Sequence, residues 1–145
     1  MKGEDLLKSY TYAFVGMLLW GIAPIFAKLG LSKVEPVIGL FMRSVVITTL
    51  LVGWVLASGQ MGKLADVTGR DWLFLGLEGI FASLLGHLAY YLALKYGEVS
   101  VVSPIMAGFP VVTALIAVMF LGERFTLIKL GGVIFILLGV FLLKR

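Results

Sequence analysis

The chain has 145 residues, of which 61% are apolar and only 14% are charged. A water-soluble domain carries a charge at about a quarter of its residues, so this composition excludes a soluble globular protein. With no cysteine and one histidine, the chain has no disulfide, no thiol nucleophile and no multi-histidine metal site within one subunit. The formal net charge of +4 comes from basic residues that stand singly near helix ends. They indicate interfacial anchors and no nucleic-acid partner.

Five apolar stretches follow one another, and each is long enough to cross a bilayer. A crossing needs about 20 residues, because the hydrocarbon core is roughly 30 Å thick. Open segments in lipid must be helical, since unpaired backbone groups are costly there. The sequence therefore predicts one all-α, integral membrane domain over residues 1–145. Its five transmembrane helices are predicted at about 10–31, 36–58, 72–94, 100–121 and 127–143.

In chain order, the first stretch is too long for the core of a signal peptide, and four more crossings follow it. The second stretch opens on Pro36, which is tolerated in the first turn of a helix. The longest predicted loop, 59–71, leads to the third stretch. Gly122-Glu123-Arg124 ends the fourth, and Lys144-Arg145 is predicted to stop the fifth at the headgroups.

Basic residues are shared equally between the two sides of the membrane. Five crossings place Lys2, Lys8, Lys63, Arg70, Arg124 and Lys129 on the N-terminal side, and Lys28, Lys33, Arg43, Lys95, Lys144 and Arg145 on the other. Orientation normally follows an excess of Lys and Arg in cytoplasmic loops, and here neither side has one. Either the charges closest to the membrane decide orientation and Arg43, inside a helix, does not count, or the protein inserts both ways and pairs with an inverted copy of itself.

Short motifs in a fixed order resemble a known membrane domain. They are Trp20-Gly21, Phe26-Ala27-Lys28-Leu29-Gly30-Leu31, Glu35-Pro36, Phe41-Met42-Arg43, the run 90–97, Pro110, Leu121-Gly122-Glu123-Arg124 and Leu130-Gly131-Gly132. In this order they resemble the EamA domain, the five-helix repeat of the drug/metabolite transporter superfamily. The resemblance covers about residues 13–143. Ala23-Pro24 replaces the small polar residues often seen after Trp-Gly, which leaves the first helix's part in substrate binding open.

The resemblance implies a fold and a mode of assembly. Most members of that superfamily carry two such repeats, inverted relative to each other, and this chain has one. It is expected to form one half of an inverted-repeat transporter fold. Transporters of this kind place the substrate at the repeat interface near mid-membrane. A single repeat therefore needs an inverted partner.

Ionisable groups within the membrane usually face a bundle interior or a cavity, and three of those in the predicted crossings are candidates for function. They are Arg43, Glu78 and His87. Imidazole exchanges protons near neutral pH, so His87 suits proton coupling or substrate binding, and it also suits a hydrogen-bonded packing role. Glu78 is a proton carrier or a carboxylate that reaches interfacial water. In an antiparallel dimer Arg43 and Glu78 come to similar depth, which permits an ion pair between subunits.

Two helix faces are candidate cavity walls, although small residues also serve helix packing. With the α-helical period, one face of the third helix carries Gly76, Gly79, Ser83, Gly86, His87, Tyr90 and Tyr91. One face of the fourth helix carries Ser103, Met106, Pro110, Thr113, Ala114 and Ala117. Pro110 cannot bond to the Met106 carbonyl and so kinks the helix or frees a ligand oxygen. Trp20 lies deep in the first helix, where its side chain either serves helix packing or closes the cavity.

The sequence predicts a multi-pass secondary transporter of a small solute in the cytoplasmic membrane of a prokaryote. It is expected to work as an antiparallel homodimer by alternating access, driven by a proton gradient or by the solute's own gradient. The alternative is a non-transporting subunit that pairs with a different five-helix protein. An enzyme is not expected, because no nucleophile-base pair or metal set is present. No cofactor is expected either, since there is no phosphate-cradling loop.

Overall fold

The structure is a computed structural model, and it describes residues 3–124 and 126–143. These residues are almost wholly helical and include no strand. This confirms the predicted all-α class. The five long helices are α1 (Gly3–Gly30), α2 (Pro36–Ala57), α3 (Gly69–Tyr96), α4 (Val99–Phe120) and α5 (Leu127–Leu143).

Four of these helices are long and apolar enough to cross a membrane. The fifth, α5, is equally apolar but has 17 residues, which is the lower limit of about 17 residues for a crossing. Large apolar side chains are exposed along all five helices, for example Phe41, Leu50 and Phe135. Such a surface belongs in hydrocarbon. The described residues are consistent with a five-helix membrane protein.

Two helices begin earlier than their hydrophobic runs. Helix α1 starts at Gly3 instead of about residue 10, because no breaker precedes the apolar stretch and Glu4 and Asp5 favour the first turn electrostatically. Helix α3 starts at Gly69 instead of residue 72. The Asp71 N–H donates to Thr68 Oγ1 over 3.3 Å, and the Thr68 N–H donates to Asp71 Oδ2 over 3.0 Å. This capping box fixes the start of α3.

Glycines follow the ends of α2 and α4, and the two chain termini lie outside the described residues. Gly59 and Gly122 adopt positive φ angles of 69° and 66°, a conformation that favours glycine after a helix end. A short 3₁₀ helix, Gln60–Asp66, follows Gly59 within the predicted loop. Lys2, Lys144 and Arg145 lie outside the described residues, so the predicted stop of α5 at its basic end stays a prediction.

Helices α3 and α4 each contain an interruption. In α3 the segment Gly79–Gly86 is a π-helix, between α-helical segments Gly69–Glu78 and His87–Tyr96. In α4 the segments Val99–Met106 and Phe109–Phe120 are separated by a turn at Ala107 and Gly108. Pro110 stands in the first turn of the second segment, where a missing N–H is tolerated. A kink was one of the two alternatives predicted for Pro110. The structure has the break of α4 directly before this residue, at Ala107 and Gly108.

The chain divides into two compact units, Met1–Tyr96 and Gly97–Arg145. In the first unit the segment His87–Tyr96 packs against both α1 and α2. Its core holds Leu31, Leu40, Tyr91 and Leu94, the last with 0% of its surface exposed. In the second unit both segments of α4 pack against α5. The assignment of the whole chain to one domain stays a prediction.

Two polar contacts tie the three helices of the first unit together at one end. Lys28 Nζ, from the last turn of α1, donates to the Leu94 carbonyl of α3 over 2.5 Å. Lys95 Nζ lies 2.6 Å from Glu35 Oε1, directly before α2. The last four carbonyls of a helix have no partner within the helix. The Lys28 ammonium therefore satisfies a helix-end carbonyl that lies beside the fully buried Leu94 side chain.

Removing the Lys28 ammonium should destabilise the first unit. The Lys28→Met variant keeps an apolar stem of similar length but leaves the Leu94 carbonyl without its charged donor. A hydrogen bond to a charged group contributes about 1.5–3 kcal/mol, so we expect a clear fall in the thermal unfolding midpoint of the purified protein in detergent. The control is Lys33→Met, at an exposed lysine where the change should stay within about 0.5 kcal/mol. Equal midpoints for the two variants would contradict the assignment.

Candidate functional site

The first unit contains a groove between α1, α2 and α3, which we call the arginine groove. Its volume is about 390 Å³. It is lined by Ala23, Phe26, Ala27, Gly30, Leu31, Val34, Gly39, Met42, Arg43 and Tyr91. Apart from Arg43 and Tyr91 these side chains are apolar or absent. The groove is therefore a mostly apolar trough with one cation and one phenol.

Arg43 is the charged residue of this groove and is half-buried. It follows Pro36, the first residue of α2, by two helical turns, which places it roughly 10 Å along the helix axis. Within residues 3–124 and 126–143, no carboxylate pairs with its guanidinium and no hydrogen bond to it is formed. A cation at membrane depth without a partner is costly, and such residues usually mark a solute pathway.

His87 is held in one tautomer by the backbone of α3. Its Nδ1 lies 2.8 Å from the Ala82 carbonyl oxygen. A carbonyl can only accept, so Nδ1 carries the proton of this bond, and Nε2 of the neutral ring keeps a lone pair. The imidazole also contacts the ring of Tyr91 edge to face, with centroids 6.4 Å apart. Tyr91 also lines the arginine groove, so His87 contacts a buried side chain of the groove that contains Arg43.

The π segment explains why the Ala82 carbonyl is within reach of His87. In a π-helix the hydrogen bonds span five residues, and the His87 N–H itself donates to Ala82 O. Gly86 permits this geometry, because a Cβ there would lie 2.9 Å from the Phe81 carbonyl oxygen. Such segments are rare and often occur at functional sites. The α-helical period predicted for this stretch does not include a π segment, although the small residues Gly79, Ala82, Ser83 and Gly86 were a signal for it.

The π segment also changes which residues share a face. The predicted common face of α3 used the α-helical period, and that period does not continue through Gly79–Gly86. Gly79 and Ser83 lie in the π segment itself, with nothing within 4 Å of a Cβ built at Gly79. Tyr90 is half-buried and Glu78 is exposed. The structure brings together His87, Tyr91 and Arg43.

Trp20 and Glu78 lie away from this cluster. The Trp20 side chain is 69% exposed and does not line the arginine groove. Glu78 and Arg43 form no ion pair with each other within the described chain. The pairing between subunits stays a prediction.

The second unit contains a separate groove between α4 and α5, which we call the proline groove. Its volume is about 390 Å³. Of the predicted residues of α4, Pro110 and Thr113 line it, together with Ala114 and Ala117, whereas Ser103 and Met106 do not. The Thr113 hydroxyl donates to the Phe109 carbonyl over 3.3 Å. The Lys129–Glu123 ion pair, at 3.0 Å, also lines this groove.

Neither groove offers a metal-ligand set. Among the described residues, no group of three or more His, Asp or Glu side chains could hold a metal ion. The arginine groove instead presents a permanent cation, a phenol and, behind the phenol, an imidazole with a free acceptor nitrogen. These groups can bind a polar solute and exchange a proton.

The amino-acid sequence matches one family of membrane proteins over nearly its whole length. The model of the EamA-like transporter family aligns with residues 7–145. The chain belongs to the EamA-like transporter family. This confirms the resemblance noted in the sequence, and it makes the chain a member of a family named for membrane transport rather than for an enzyme activity.

Relatives of this EamA-family chain include proteins of similar length. An uncharacterized transporter in the cobO 3' region of Sinorhizobium sp. is 36% identical over 132 residues, covering 91% of this chain and 93% of the relative. An uncharacterized protein of Methanocaldococcus jannaschii is 31% identical over 139 residues, covering 92% of this chain and 96% of the relative. An uncharacterized transporter of Archaeoglobus fulgidus is 30% identical over 89 residues, which are 61% of this chain and 30% of that protein. No solved structure matches the chain.

The π segment of this EamA-family member can be tested at its glycines. In Gly86→Ala the new Cβ would meet the Phe81 carbonyl at 2.9 Å, and backbone must shift to make room. Overpacking of this kind costs about 1–3 kcal/mol, so we expect a lower thermal unfolding midpoint in detergent. Gly79→Ala, whose Cβ would meet nothing within 4 Å, should be neutral or slightly stabilising. The prediction is wrong if both alanine variants unfold together with the wild type.

Proposed function

We propose that this EamA-family chain is a secondary transporter of a small solute that works as an antiparallel homodimer by alternating access. The observation that carries the proposal is a mostly apolar groove at membrane depth that Arg43 and Tyr91 both line, with His87 in contact with Tyr91. Charged and titratable side chains in such positions serve solute pathways and proton relays. The prokaryotic relatives support a place in the cytoplasmic membrane.

Three observations support an inverted partner. Basic residues are divided evenly between the two predicted sides, so the positive-inside rule gives neither orientation an advantage. Transporters built from inverted repeats bind their substrate between the repeats, and this chain carries one repeat. The Archaeoglobus fulgidus relative is roughly twice as long as this chain, since 89 matched residues are 30% of it. A protein with two such repeats would have that length.

His87 is the proposed proton-coupling residue. Its Nδ1 proton is held by the Ala82 carbonyl, so the ring can gain and lose a proton at Nε2 without giving up that bond. The edge contact with Tyr91 would transmit the change of charge to the arginine groove. Glu78, exposed just before the π segment, is the second proton-coupling candidate.

The other predicted residues are proposed as cavity walls. Gly79, Ser83 and Tyr90 would contribute from α3. Ser103, Met106, Pro110 and Thr113 would contribute from α4, where Pro110 and Thr113 already line the proline groove. Trp20 would close the cavity from α1.

The orientation of the chain can be measured directly because the natural sequence has no cysteine. Single-cysteine variants Ser32→Cys and Met61→Cys place a thiol in successive connections, on opposite sides of the membrane. An impermeant maleimide added to intact cells should label roughly half of each variant, because the two orientations have similar charge bias. Full labelling of one and none of the other would contradict dual topology and favour a subunit with a dedicated partner.

Transport itself should depend on His87. Protein reconstituted in proteoliposomes should take up at least one solute from a panel of amino acids, amines and organic acids, and an imposed pH gradient should drive its accumulation. In His87→Asn the side-chain amide can still donate to a carbonyl but cannot titrate. We expect exchange of labelled for unlabelled solute to survive and gradient-driven accumulation to be lost. Unchanged accumulation would remove His87 from coupling, and Glu78→Gln would then be the variant to compare.

A further inference from the structure

We infer that the arginine groove selects an organic anion, a small solute with a carboxylate and an apolar body, as the transported class. This inference rests on the proposed transport function and names the substrate class of the same site. Its basis is the juxtaposition of one unpaired guanidinium with apolar walls.

The charge of the groove is uncompensated. Arg43 has neither a carboxylate partner nor a hydrogen bond within the described residues, and no acidic side chain lines the groove there. Arginine keeps its proton under all physiological conditions. A half-buried permanent cation without a counter-charge is stabilised by an anionic ligand and repels a cationic one. The site therefore disfavours amines.

The walls of the groove favour a ligand with an apolar body. Phe26, Leu31 and Met42 line the groove together with Arg43, and Tyr91 is 8% exposed. Binding sites for small organic molecules are mostly apolar with a few polar groups, and they have volumes of about 300–1,000 Å³. The 390 Å³ of this groove lies at the small end of that range. A hydrated inorganic ion such as chloride has no apolar surface to place against these walls.

Arginine suits a carboxylate better than a point-like anion. Its planar guanidinium presents two parallel N–H groups that match the two carboxylate oxygens, and the paired bonds are stronger than neutral ones. Two other sources of the same chemistry are an anionic lipid headgroup and Glu78 of a second subunit. The experiment below separates both from a free solute.

The test measures equilibrium binding to the purified protein in non-ionic detergent. The probes are phenylacetate, its neutral amide phenylacetamide, and phenethylamine, which share one apolar body and differ in charge. We expect phenylacetate to bind roughly ten- to hundredfold more tightly than phenylacetamide, since one charge-assisted contact distinguishes them. Phenethylamine should bind more weakly than the amide.

Variants then assign the preference to Arg43. Arg43→Gln should lose the preference for phenylacetate and bind phenylacetamide as the wild type does, which also shows that the variant is folded. Arg43→Lys should keep part of the preference, because the charge remains but the paired geometry is lost. Arg70→Gln is the matched control, since Arg70 lies over the ring of Phe74 and does not line the groove. It should bind all three probes as the wild type does.

Four results would overturn the inference. One is a wild type that binds the three probes equally, or an Arg43→Gln variant that keeps the preference. Another is phospholipid retained after detergent washing by the wild type but not by Arg43→Gln, with no phenylacetate bound, which would assign the groove to a lipid headgroup. The last is the double exchange Arg43→Glu with Glu78→Arg, if it restores transport lost in each single variant. That rescue would assign Arg43 to an ion pair between subunits.

The failure of this inference and that of the proposed function are distinguishable. If some other solute is transported in proteoliposomes while phenylacetate does not bind, the chain is a transporter with a different substrate class. If phenylacetate binds through Arg43 but no solute crosses the membrane, the anion site stands and the transport function falls.

Discussion

The hydrogen bond from Lys28 to the Leu94 carbonyl is the contact on which the first unit depends. In hydrocarbon, helices gain little from burying apolar surface against one another, so packing and polar contacts must hold them together. This contact joins the last turn of α1 to the last turn of α3, and the Lys95–Glu35 pair joins α3 to the start of α2. Both contacts involve the end of α3 that carries Leu94, whose side chain is completely buried.

The position of the candidate site follows from that anchored end. Tyr91 lies about one helical turn before Leu94, so fixing the end of α3 also fixes Tyr91 against α1 and α2, in the groove with Arg43. His87 lies one further turn back and contacts Tyr91. The π segment Gly79–Gly86 directly precedes His87. The packed end of α3 therefore adjoins a stretch whose hydrogen bonds span five residues instead of four.

Such an arrangement suits a transporter of the EamA-like family. In the alternating access that we propose, one repeat would move against the other around the binding site. In α3 the segment His87–Tyr96 is packed against two helices, whereas the π segment has no residue in the buried core. A change of charge on His87 would act at the junction between the two. In the second unit the break of α4 at Ala107 and Gly108 provides a comparable junction beside the proline groove.

The sequence by itself determined the helical class, the number of apolar stretches and the resemblance to the family, because lipid allows few solutions for an apolar chain. It predicted both ends of α2 and the start of α5 to within a residue, where proline or polar residues bound the apolar run. It missed the π segment, since one α-helical period was assumed throughout α3. Only the tertiary structure decided that Arg43 and Tyr91 share a groove and that Trp20 and Glu78 do not join them. Those residues are far apart in the chain, and their meeting depends on how α1, α2 and α3 pack, which periodicity within one helix does not encode.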